Sequence, residues 1–121
     1  MSYEFYKIMH VTGFIMVFLG LAGVLALRMA GPNLPKRAYM LFVITHGIGL
    51  LIAFVAGFGL AARLNMFQNL PIWVWAKIAI WLVLGGAMAL AKRRGQIGTP
   101  ILVLLIGLGG TAAWLAITKP F

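Results

Sequence analysis

Charged residues gather in short clusters along this chain, and between them lie four long apolar stretches. The first covers residues 8–27 without a charge and the second residues 38–62. The third covers residues 71–91, broken once by Lys77, and the fourth residues 99–118. A helix needs about 20 residues to cross a hydrocarbon core of about 30 Å, and each stretch is long enough. None alternates apolar and polar positions, as the strands of a membrane β-barrel do. The pattern predicts helices over about 4–28, 38–63, 71–91 and 99–118.

Proline placement agrees with these divisions. Pro32, Pro35, Pro71, Pro100 and Pro120 all fall between or at the ends of the stretches, where a missing N–H breaks no helical hydrogen bond. Asn69-Leu70-Pro71 and Thr99-Pro100 read as helix starts, and Lys92-Arg93-Arg94-Gly95 as a helix end. Turns of about eight or nine residues make consecutive helices antiparallel neighbours. The expected fold is therefore all-α: a polytopic integral membrane protein, one antiparallel four-transmembrane-helix bundle over residues 1–121.

Composition supports the bilayer as solvent. Hydrophobic residues make up 64% of the 121 and charged residues 9%, more apolar surface than so small a domain hides from water. The first stretch is not a signal-peptide core, which is about 7–15 residues long behind a basic start. Here twenty uncharged residues follow a segment holding both Glu4 and Lys7, so a retained span is expected.

The net charge of +9 would suggest a nucleic-acid surface in a soluble domain. Its distribution argues otherwise. Arg28, Lys36 and Arg37 flank the first turn and Lys92, Arg93 and Arg94 the third, against Lys7, Arg63 and Lys119 at the opposite side. The positive-inside rule places the two basic turns in the cytoplasm and both termini outside, periplasmic for a bacterial inner-membrane protein, with no nucleic-acid partner. Cysteine is absent, which removes disulfides, thiolate catalysis and covalently attached haem. Any haem would be held non-covalently.

Gly49, Ala53 and Gly57 form a small-residue ridge on the second span, and Gly107, Gly109 and Gly110 a similar patch on the fourth. Such ridges serve internal packing or a homodimer or larger membrane complex, and both uses stay open.

His10, His46 and Lys77 are the strongly titratable side chains within the spans. Each costs free energy to insert in lipid, so each is a candidate site residue. A neutral imidazole is the least costly of these to bury, and it is the usual haem ligand. His10 shares a helix face with Gly13, Val17 and Gly20, and His46 with Gly49, Ala53 and Gly57. Such a face suits a flat macrocycle between helices or tight helix packing. At about 1.5 Å per residue, His10 lies about 9 Å outward of the midplane and His46 about 7 Å inward. One haem iron held axially by both is strained. Lys77, about 6 Å outward, shares a layer with His10. Plainer roles stand beside these: Lys77 snorkelling to the interface, His46 bonding a neighbouring helix, and Trp73, Trp75, Trp81 and Trp114 as packing or belt residues.

Phe5-Tyr6-Lys7-Ile8-Met9-His10-Val11, then Ile44-Thr45-His46, then Trp73-Val74-Trp75-Ala76-Lys77-Ile78, with the basic helix end Ala91-Lys92-Arg93-Arg94-Gly95, resemble the SirB-type family of small four-span bacterial membrane proteins over nearly the whole chain. That family has no settled activity. A more distant resemblance is to HemJ-type protoporphyrinogen oxidases, which open with the same Lys-x-x-His helix and carry a lysine after a tryptophan. It implies essential roles for His10 and Lys77 and binding of haem b or another porphyrin. His46 has no clear counterpart there, and that family's arginine and aromatic pattern after the first helix is not evident here. The expectation is a redox- or porphyrin-associated membrane protein with His10, His46 and Lys77 as cofactor-binding residues and His10 and His46 as ligands if haem iron is bound. The rivals are a small transporter or channel using the histidines as a proton or ion relay, and a non-catalytic assembly partner.

Overall fold

A computed structural model describes residues 2–63, 69–94 and 97–118. It contains four helices, α1 (Tyr3–Ala30), α2 (Lys36–Arg63), α3 (Ile72–Arg94) and α4 (Thr99–Thr118), and no strand among the described residues. All four are long and apolar enough to cross a membrane. Their outer faces are covered with large apolar side chains, such as Leu51, Val55, Leu82, Ile106 and Ile117, as lipid requires and water forbids.

The helix ends follow local chemistry. Ser2 caps α1, its Oγ accepting from Phe5 N at 3.1 Å, with Glu4 in the first turn where the helix dipole favours an acid. Gly31 stops α1 at φ 153, a backbone region open to glycine alone. The carbonyl of Pro71 accepts from Val74 N and Trp75 N at the head of α3. Gly98, at φ 72, turns the chain into α4, and its carbonyl accepts from Leu102 N. Helices α1 and α2 run past the uncharged stretches that predicted them, because lysine and arginine are good helix formers and leave the hydrocarbon without breaking the backbone ladder. The first connection, residues 31–35, is accordingly shorter than the eight or nine expected. Gly95, Lys119 and Pro120 lie outside the described residues.

Helix α1 is the hub, touching each of the other three. Its Val17, Leu21 and Val24 are wholly enclosed and meet Leu84, Ala87, Met88 and Ala91 of α3 and Ile101, Leu105, Ala112 and Leu115 of α4 in one core. The α1–α2 pair is much the tightest, and glycine explains it. A Cβ on Gly13 would stand 2.5 Å from Ala53 N, and one on Gly49 would stand 2.7 Å from Gly13 O. The Gly49–Ala53–Gly57 ridge, open between two uses in the sequence, is thus turned inward against α1. On α4, Gly107 and Gly110 face open space while Gly109 lies against Phe18.

Candidate functional site

His10 sits in the third turn of α1, half-buried against α2 and α3. Its Nδ1 lies 2.8 Å from Ala53 O. A carbonyl oxygen only accepts, so Nδ1 carries the proton and donates, which leaves Nε2 as a lone-pair acceptor. Lys77 Nζ approaches that atom at 3.4 Å and donates to it. Phe14, one turn after His10, sets its edge against the imidazole with centroids 4.9 Å apart, and Lys77 Nζ is 6.0 Å from the same phenyl ring. Gly57 makes room from α2: a Cβ there would come within 3.1 Å of the imidazole Cε1. Helices α1, α2 and α3 together hold a base and a cation in contact inside the apolar layer.

His46 is buried, with 3% of its surface exposed. Its Nδ1 donates to Val17 O at 3.1 Å, fixing the same tautomer, while its Nε2 is enclosed without a partner among the described residues. Gly20 of α1 makes its room, since a Cβ there would lie 2.6 Å from His46 Cβ. Each histidine is therefore accommodated by a glycine of the opposite helix, not of its own face. The two bonds are also reciprocal: His10 bonds the residue seven beyond His46, and His46 bonds the residue seven beyond His10. Seven residues set the imidazoles about 10.5 Å apart along the pair.

The structure thus brings His10 and Lys77 together and leaves His46 apart. Phe14 and the carbonyl of Ala53 complete the His10 site and were not singled out in the sequence. Phe14 had a readable signal, its position four residues after His10 on one helix face. The carbonyl had none. Trp81 is a tie: its Nε1 donates to Leu50 O at 3.0 Å and its ring leans on Phe54, joining α3 to α2. Trp75 and Trp114 are exposed on the outer surface.

A resident haem between the histidines does not fit this arrangement. Opposing backbone fills the small-residue faces of Gly13, Gly20 and Gly49, Lys77 covers the His10 lone pair, and the offset rules out one iron for both. An apolar groove of about 330 Å³, lined by Phe18, Ala22, Leu102, Leu105, Ile106, Gly109 and Gly110, lies between α1 and α4, away from either imidazole. Among the described residues, no three of His, Cys, Asp and Glu gather as a metal site would require.

Fold and site define a class: a four-helix, multi-pass membrane protein with a histidine–lysine pair within its spans. Comparison with family models, curated proteins and solved structures gives no match to this chain.

Proposed function

We propose that the protein is a redox- or porphyrin-associated component of the bacterial inner membrane, with both termini periplasmic, and that the His10–Lys77 pair receives a membrane-dissolved ligand carrying a carbonyl or carboxylate oxygen. Quinones and porphyrins are the chemical classes that suit it. Lys77 donates its remaining N–H groups to the ligand oxygen, and His10 Nε2, accepting from Lys77, holds the amine in position. His46 acts as a clamp between α1 and α2.

The observation that carries this reading is the 3.4 Å contact between Lys77 Nζ and His10 Nε2, with the imidazole proton locked on the far nitrogen. A lysine in a span normally needs an anion or an oxygen partner. The chain holds one acidic side chain, Glu4, which is exposed at the start of α1, and a ligand oxygen is the complement that this reading supplies. The relay reading requires a polar file between the histidines. Thr45 instead bonds its own helix at Leu41 O, and Thr12 faces outward. The assembly reading relied on a ridge that α1 now fills.

The test is direct. The protein is extracted in mild detergent, its absorption spectrum and bound small molecules are recorded, and it is titrated with protoporphyrin and with a short-chain quinone. One of the two classes is expected to bind. His10→Ala and Lys77→Met are each expected to weaken it about tenfold or more, the effect of losing a charged hydrogen bond. His46→Ala is expected to lower stability with affinity largely kept. Failure of both ligands to bind, or equal binding by all three variants, rejects the reading.

A further inference from the structure

At the other end of the bundle stands a second cation, half-buried at the end of α1. Arg28 lies four, seven and eleven residues after Val24, Leu21 and Val17, on the same face of α1, and those three are fully enclosed. The core-facing stripe of α1 therefore ends in a guanidinium. Its Nε is sealed from solvent and has no hydrogen-bond partner among the described residues. Arginine does not shed its proton in proteins, so the charge stays on this half-buried side chain, and an anion is its natural complement. The chain cannot supply one from its side chains: its single acid is Glu4, 24 residues earlier on the same helix and so about 36 Å away.

More positive charge converges on this end. Lys92, Arg93 and Arg94 form the last turn of α3. The ends of α1 and α3 are held side by side, for Ala91 and Val24 belong to one core and Met29 packs against Gly98 beyond α3. Lys92 is half-buried. Around these cations Met29, Leu90 and Ile97 are exposed apolar side chains, placed where acyl chains would lie.

We propose that this basic end, centred on Arg28 and Lys92, binds the phosphate of an anionic phospholipid. A phosphate would pair with the guanidinium through the N–H groups beyond the enclosed Nε, and basic pockets between spanning helices are where such headgroups lodge. A free phosphate shares the charge but gains nothing from the apolar rim, which is why a lipid is the occupant. The site is independent of the His10–Lys77 pair.

The experiment uses the full chain in mild detergent, with native mass spectrometry for retained lipid and thermal unfolding for affinity. Dioleoyl-phosphatidylglycerol, dioleoyl-phosphatidylcholine and inorganic phosphate are added in turn. The anionic phosphatidylglycerol is expected to be retained and to raise the melting temperature, the other two to do neither at equal concentration. Arg28→Gln and Lys92→Gln are each expected to weaken its binding about fivefold, and Arg63→Gln, at the opposite end, to leave it unchanged. Should Arg28→Gln fold poorly, Lys92→Gln in the terminal turn carries the comparison. Equal affinity for both lipids, equal effect of inorganic phosphate, or undiminished binding by the folded variants overturns the proposal.

Discussion

Lys77 is the residue at which stability and function pull apart. Its ammonium lies within a span and touches a neutral acceptor rather than an anion, so the fold gains little from its charge. A lone ammonium within a span carries an insertion cost that an apolar side chain of similar shape does not. Lys77→Met is therefore expected to raise the unfolding free energy by about 1–3 kcal/mol while weakening ligand binding about tenfold or more, read by denaturation in mixed micelles beside the titration. A stability loss of that size would mean that the amine holds the bundle together and is not reserved for a ligand. This pair was partly legible in the sequence: helical rise put His10 and Lys77 in one layer, and that arithmetic needs only residue counts. The proton position was not legible. It depends on Ala53 O lying opposite Nδ1, which follows from how closely Gly13 and Gly49 let the backbones approach. The same closeness moved the glycines to different owners, Gly57 beside His10 and Gly20 beside His46.

Among the elements, the α1–α2 pair is welded by backbone contact and α4 is held by ordinary side-chain packing, which gives glycines in the two places opposite meanings. Gly49→Ala puts a Cβ 2.7 Å from the Gly13 carbonyl oxygen, where no rotamer change gives relief. The helices must part, at a cost of about 1–3 kcal/mol, and both imidazole–carbonyl bonds lengthen with them. Gly107→Ala meets nothing within 4 Å and should stabilise α4 by up to about 1 kcal/mol through helix propensity. Chemical denaturation followed by circular dichroism distinguishes the two, and equal effects would refute the assigned contacts. Helix number, type and approximate ends were legible because lipid leaves few solutions to a continuous apolar run. Which face of α2 meets α1 was not, since a face of small residues reads the same whether a neighbouring helix or a second copy covers it.

For the molecule as a whole, charge is polarised along the bundle axis, with six cations around the first and third connections and the His10–Lys77 pair toward the other end. Positive-inside bias and the proposed lipid site favour the same direction, because anionic headgroups enrich the cytoplasmic leaflet. The chain has no cysteine, so one introduced thiol reports one place. Asn33→Cys lies in the first connection and Ser2→Cys at the head of α1. In intact cells with a permeabilised outer membrane, a membrane-impermeant maleimide is expected to label Ser2→Cys and spare Asn33→Cys until the inner membrane is broken. The reverse pattern would place the basic connections outside, put His10 and Lys77 near the cytoplasmic leaflet, and show that the six cations do not orient this chain. Labelling of both thiols from outside would contradict an odd number of crossings between residues 2 and 33, and with it α1 as a membrane span.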